Sequence, residues 1–254
     1  IIGTEESVKA ITLENIKNFY NRYYAPENCV ISVCSSLTIE DVIFVVEKYF
    51  KDWEKSFCGI EEDEREYNQY ETFTEKISNI KGAKLQYLFN IDYLDEEEIK
   101  ALSVFNAAFG EGTSSILFDE IRTKNGLAYD VGSFIKNERG IKFFTINIAT
   151  SEKNIDRTLS IVDDSIYKIK NSTGYFNEKK INSLCRGIKL KRQLKLEKSI
   201  QLCKELTTYE LMYGDAKKVY DEAAEFDYID EEKILKVINK VLNKPTIQIL
   251  TPGN

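Results

Sequence analysis

The chain has 254 residues, 43% of them hydrophobic, enough to bury one large core or one and a half medium ones. Its net charge is −7 with both signs interspersed, which removes the basic footprint of a nucleic-acid binder. It contains no histidine, which excludes Ser-His-Asp and Cys-His catalysis, histidine general bases, and the His-Glu-x-x-His zinc helix with its inverted form.

No stretch approaches the ~18 uninterrupted apolar residues of a membrane helix, and no signal peptide is visible, so no membrane association is expected. The five cysteines, Cys29, Cys34, Cys58, Cys185 and Cys203, are odd in number and form no Cys-x-x-Cys pair. A reduced, cytoplasmic setting is expected rather than a disulfide scaffold. The chain opens Ile1-Ile2-Gly3 rather than with Met, and we expect a piece of a longer polypeptide or a processed product.

In chain order, Thr12 caps a helix whose Ile16, Phe19, Tyr20 and Tyr23 share one face, and Pro26 stops it. Cys29 to Ser35 reads as a short strand. Thr38 caps a second helix, with Val42, Val45, Val46, Tyr49 and Phe50 as its expected buried stripe. From Glu54 to Asn79 the composition turns acidic and polar, with Glu61, Glu62, Asp63, Glu64 and Glu66 close together, as in a linker. This divides the chain into residues 1–69 and 70–254.

Lys84 to Ile91 alternates as a strand, with Leu85, Tyr87, Phe89 and Ile91 on one side. Asp95 and Glu98 cap a helix bearing Ile99, Leu102, Phe105 and Phe109. Gly110-Glu111-Gly112 reads as a tight loop, and Thr113, Ser114 or Ser115 could cap the helix after it. That helix ends near Asn125-Gly126, a left-handed stop, and a strand begins at Leu127. Leu127 to Lys136 and Ile141 to Thr150 form a hairpin turned at Asn137–Gly140. An amphipathic helix around Leu159 follows, then a long basic helical stretch from Asn177 to Tyr213 that divides in two. Asp230 starts a last helix, and Pro245 to Thr251 a last strand. Strands this far apart in sequence must share one sheet, so the fold class is α+β, a mainly antiparallel sheet with helices on one face.

Few side chains suggest chemistry. Arg122 and Tyr129 flank the helix–Gly–strand corner and can be aimed into one space, although a cation in a last helical turn is also what the helix dipole favours. The basic run Lys189, Lys191, Arg192, Lys195, Lys198 and Lys204 has leucines at helical spacing, as a solvated helix face does. The Gly-rich loop lacks the Lys-Ser/Thr pair of a phosphate cradle.

The stretch Phe109–Tyr129 resembles the C-terminal-half signature of the pitrilysin/insulinase-type (inverzincin) zinc metallopeptidases, and is most similar to their processing-peptidase branch. The residues that carry the likeness are Gly110, Gly112, Ser114, Ser115, Leu117, Phe118, Ile121, Arg122, Gly126, Leu127, Ala128 and Tyr129. Departures are Glu111, Ile116 and Asn125, where a Gly and two basic residues are common. The N-terminal segment, through Tyr24-Ala25-Pro26-Glu27-Asn28 to Trp53, resembles the end of the first half of the same peptidases. The resemblance implies that residues 1–69 are the tail of an N-terminal peptidase half plus a linker, and 70–254 a substrate-binding half. It implies an extended peptide cleaved in an enclosed chamber, with Tyr129 against the scissile carbonyl and Arg122, Gly110 and Gly112 as substrate contacts. Zinc is implied for a missing N-terminal half or a zinc-bearing partner subunit in a homo- or hetero-dimer; in this chain no metal ligand is expected and no activity alone. A non-catalytic, peptide-binding or structural member of the family is the alternative.

Overall fold

A computed structural model describes residues 3–59, 69–221, 226 and 228–253. In chain order its helices and strands are α1 (Glu5–Lys9), α2 (Leu13–Tyr23), α3 (Ile39–Phe50), β1 (Thr72–Ile77), β2 (Ala83–Asn90), α4 (Glu96–Phe109), β3 (Ala128–Glu138), β4 (Ile141–Thr150), α5 (Ile155–Lys170), α6 (Glu178–Leu196), α7 (Ser199–Tyr213), α8 (Lys218–Asp221), α9 (Glu231–Val241) and β5 (Thr246–Pro252). A π-helical segment, Phe118–Lys124, lies between α4 and β3.

By internal contacts the chain divides into two compact units, Ile1–Arg65 with Leu194–Tyr220, and Glu66–Gln193 with Asp221–Asn254. The acidic run 61–64 and Glu66, the centre of the expected linker, lie outside the described residues.

In the first unit, Thr12 caps α2 and Thr38 caps α3 through side-chain oxygens that accept from the Asn15 and Asp41 amides. Two expectations fail here. Cys29–Ser35 forms no strand with any of the described residues. The apolar stripe of α3 is not buried in this chain: Val42 and Val46 are half-buried, while Val45, Tyr49 and Phe50 are exposed. On α2, Ile16, Phe19 and Tyr20 are exposed as well. Periodicity names the face that wants cover; it does not say where the cover comes from.

The second unit is built on a five-stranded sheet in the order β1-β5-β2-β4-β3. Its pairings are antiparallel except β1 with β5, so the α+β architecture read from the sequence holds. Strand β1 falls within the stretch whose composition reads as a linker. It has no apolar alternation to betray it, because Thr72 to Lys76 are all exposed on an edge strand. The long helical stretch divides at Glu197-Lys198, between α6 and α7.

One face of the sheet meets the helices. Leu85, Tyr87 and Phe89 of β2 and Phe144, Ile146 and Ile148 of β4 join Leu102, Phe105 and Phe109 of α4, Val162 and Ile169 of α5, and Ile234, Val237 and Ile238 of α9 in one core. Phe105 lies 4.8 Å from Phe109 and 5.9 Å from Phe144, centroid to centroid. Each fully buried side chain of this size contributes about 1.5–3 kcal/mol by removal from water. The opposite face of the sheet carries Lys84, Gln86 and Leu88 of β2 and Asn147 and Ala149 of β4, exposed or half-buried.

Candidate functional site

The corner between α4 and β3 is fixed from below by two buried polar side chains. Asn106 Oδ1, on the last turn of α4, accepts from Ser133 Oγ of β3 at 2.7 Å. The Ser133 amide donates to the Gly110 carbonyl at 3.1 Å. A Cβ on Gly110 would stand 2.1 Å from Ser133 Oγ and 2.7 Å from Ser133 N. The backbone that approaches Gly110 is therefore that of β3, so the close approach expected there for a substrate is taken by the protein itself. Gly112 differs: its φ of +85° is in the left-handed region, and a Cβ would meet open space. Of the three candidate caps, Ser115 is the one used. Its Oγ donates to the Gly112 carbonyl at 2.8 Å and accepts from the Phe118 amide at 3.4 Å.

The helix that follows widens into π geometry over seven residues, Phe118–Lys124. Wide turns of this kind are rare and recur at functional positions. Gly126, at φ +61°, reverses the chain, and Thr150 Oγ1 ties it to β4 by donating to the Leu127 carbonyl at 2.7 Å. Strand β3 then opens on a bulge. Ala128 pairs with Thr150 and Asp130 with Ala149, leaving Tyr129 as the extra residue. A bulge re-aims the side chain it carries, and Tyr129 is 88% exposed.

Arg122 closes this arrangement. Its Nη1 donates to the Tyr129 carbonyl at 2.9 Å. Its guanidinium carbon lies 5.5 Å from the Tyr129 ring centroid and 4.9 Å from that of Phe118. The structure thus brings Arg122 and Tyr129 together, as the corner geometry suggests, and adds Phe118 as a third member. The spacing of Phe118 and Arg122, i to i+4, was the available signal for that pair. Asn106 and Ser133 carried no signal, because their pairing depends on a contact across 27 positions.

Beside the corner is a cavity of about 480 Å³, lined in part by Thr113, Ser114, Asp119, Glu120, Lys124, Lys168 and Tyr175. Lys124 binds both carboxylates, at 2.9 Å to Asp119 and 2.7 Å to Glu120, which holds its ammonium pKa well above the usual lysine value. Glu111 of the Gly loop pairs with Lys191 of α6 at 2.8 Å. Among the described residues no group of three or more Cys, Asp or Glu is placed to hold a metal, and the chain has no histidine. These residues do not fit a zinc site.

Residues 10–187 match the Peptidase M16 inactive domain. The chain belongs to this family, the zinc-metallopeptidase family that the Phe109–Tyr129 stretch resembles. The uncharacterized zinc protease YmxG of Bacillus subtilis is 24% identical over 92% of this chain and 56% of its own length. The probable inactive metalloprotease YmfF of the same organism is 26% identical over 97% of this chain and 54% of its own length. The chain therefore spans about half the length of the curated relatives it matches. Among solved structures, a protease from Helicobacter pylori superimposes with a TM-score of 0.82 at 18% identity, over 99% of this chain and 61% of that one. A peptidase M16 inactive domain from Pseudomonas fluorescens gives 0.80 at 22%, over 99% and 60%. At these identities the superpositions establish the fold.

Proposed function

We propose that this inactive-type domain orients an extended peptide for a zinc-dependent endopeptidase whose metal and metal-bound water come from another segment of a longer polypeptide or from a partner subunit. The observation that carries the reading is the Phe118–Arg122–Tyr129 corner. It holds a tyrosine outward on a bulge, with its ring backed by a guanidinium. In this reading the Tyr129 hydroxyl donates to the scissile carbonyl as charge develops on its oxygen. Arg122 has five N–H donors. With Nη1 committed to the Tyr129 carbonyl, the others are available in kind for a peptide carbonyl or carboxylate.

The exposed stripes of α2 and α3 support the same reading. Ile39, Ile43, Phe44, Tyr49 and Phe50 form an apolar surface of the kind that another folded segment covers. We assign that cover to a preceding peptidase half, with a zinc-bearing partner subunit as the other source. The reading places the protein in the processing-peptidase branch and in the cytoplasm. The five cysteines, all without disulfides, support a reducing compartment.

The test is kinetic and uses the complete polypeptide or the chain with its zinc-bearing partner. Tyr129→Phe is expected to lower kcat more than it raises KM, by on the order of 10²–10³ if the lost donor acts in the transition state. Unchanged proteolysis by a normally folded variant would overturn the reading. A second reading, a non-catalytic member that binds peptide without cleaving it, is favoured by the likeness to the probable inactive metalloprotease YmfF. It predicts peptide binding in the complete protein with no turnover.

A further inference from the structure

The face of the sheet opposite the helical core carries a row of amide side chains. Gln86 of β2 is in register with Gln248 of β5 on one side and Asn147 of β4 on the other. The row continues to Gly132 of β3, which is opposite Asn147. Gln86 Nε2 donates to Asn147 Oδ1 at 2.9 Å. The next row toward the bulge is Leu250, Lys84, Ala149 and Asp130. Gly132 and Ala149 keep the floor low, and a cavity of about 250 Å³ opens here, with Lys84, Gln86, Asp130, Asn147, Gln248 and Leu250 around it. Asp130 is the residue after Tyr129, so the cavity adjoins the corner in sequence. One step along the same face of β4, Thr145 is fully buried, with its hydroxyl making no hydrogen bond among the described residues.

The chemistry of this surface narrows what it can bind. One lysine and one aspartate cancel, so it is not an anion or cation site. The residues lining the cavity include no aromatic ring; the nearest in the row is Phe73 of β1, exposed and in register with Gln248. What it offers is hydrogen-bond donors and acceptors in equal supply. Each amide has a carbonyl oxygen and two N–H groups, and the Gln86–Asn147 bond uses one donor and one lone pair of that set. Neighbouring strands place the amides about 4.8 Å apart. An extended main chain presents one donor and one acceptor per residue, each residue advancing it by about 3.3–3.6 Å. We propose that the Gln248–Gln86–Asn147 row binds the main chain of an extended peptide laid across the strands, holding it with little regard for its side chains. The inference rests on the peptide reading above and adds to it a binding site separate from Arg122 and Tyr129.

The experiment is an NMR titration of the isotope-labelled 254-residue chain, following the side-chain NH₂ signals of Gln86, Asn147 and Gln248. The probe is an alternating Ala/Ser peptide of roughly eight residues, long enough to cross five strands at ~4.8 Å spacing. Saturable shifts of these signals are expected. The same peptide with alternate backbone nitrogens methylated should bind roughly tenfold more weakly, the equivalent of one or two lost hydrogen bonds. Gln86→Leu and Gln248→Leu should each weaken binding severalfold while amide spectra remain native. Gln86→Glu, which keeps an acceptor and loses the donors, serves as a second variant should Gln86→Leu perturb the sheet. Equal binding of the methylated peptide overturns the proposal, as does a short oligosaccharide shifting these signals when the peptide does not. If the peptide shifts Arg122 and Tyr129 signals but none of the three amides, the amide row fails and the proposed function keeps its support.

Discussion

Arg122 reaches forward over seven positions to bind the main-chain carbonyl of Tyr129 at 2.9 Å. The cation therefore acts first on the bulge that presents the phenol, and its stack between Phe118 and Tyr129 fixes the direction of both rings. A substitution at Arg122 removes a possible substrate contact and loosens Tyr129 together.

That coupling gives the first prediction. Arg122→Ala should speed amide exchange at Ala128–Asp130 and lower stability by about 0.5–1.5 kcal/mol, the net value of a typical hydrogen bond, because this one is exposed to solvent. Arg122→Lys should restore little of it, because an ammonium lacks the planar fork that stacks and donates at once. Hydrogen exchange with thermal melts reads both. Native exchange at the bulge in Arg122→Ala would mean that Tyr129 is held by the strand alone.

Two glycines of one loop should be costly to replace for different reasons. Gly110→Ala drives a methyl into Ser133 Oγ and N, at 2.1 and 2.7 Å, and should cost about 1–3 kcal/mol as an overpacked contact does. Its damage should spread to the Asn106–Ser133 bond, since both depend on the same approach. Gly112→Ala meets open space and should cost about 1–2 kcal/mol, from the left-handed backbone alone. Chemical denaturation of the two variants, with exchange at Ser133 as the local probe, separates a clash from a backbone preference. Equal protection of the Ser133 amide in both would refute the assignment of Gly110 to β3.

The fold was legible where local chemistry decides it. The Asp95 cap, the Leu85-Tyr87-Phe89 alternation and the Asn125-Gly126 stop each state their own structure. It was illegible where a partner decides it. Thr72–Ile77 has no pattern of its own and becomes a strand by lying parallel to residues at the far end of the chain, Thr72 beside Ile247. Cys29–Ser35 has the composition of a strand and no strand to pair with among the described residues. At the site, Arg122 and Tyr129 stood out because one corner joins them. The bulge that turns Tyr129 outward did not, because it is set by the register of β3 against β4.

Metal content tests the division of labour. The purified chain, dialysed and analysed for metals, should hold no stoichiometric zinc. It has no histidine, and among the described residues its cysteines, Cys29, Cys34, Cys58, Cys185 and Cys203, form no group of three with one another or with carboxylates. Tightly held zinc at one equivalent would mean that the chain carries a metal site of its own and would remove the need for a metal-bearing partner.

The last prediction concerns pH and comes from the contact between β2 and α5. The Tyr87 hydroxyl donates to Asp163 Oδ1 at 3.2 Å. Burial pushes the Asp163 carboxyl above its ordinary value of 3.8; the Tyr87 hydrogen bond opposes the rise and the Asp164 charge adds to it. Burial, then the Asp163 charge, likewise push the Tyr87 phenol well above the usual range, so it stays protonated and donating. The sign for Asp163 follows from its raised folded pKa. The native state binds the proton more tightly than the unfolded chain, so the stabilising contribution is full below 3.8 and is lost as pH rises through the folded value. At neutral pH the ionised carboxylate is a cost that the fold bears. Asp163→Asn keeps an acceptor for Tyr87 and removes the charge. Its Tm should equal or exceed that of the wild type at pH 7, and the difference should shrink toward zero as pH falls to about 4. Melts at a series of pH values between these limits measure it. A variant less stable at pH 7 than at pH 4, relative to wild type, would show that Tyr87 requires a charged acceptor and that its hydrogen bond outweighs the burial of Asp163.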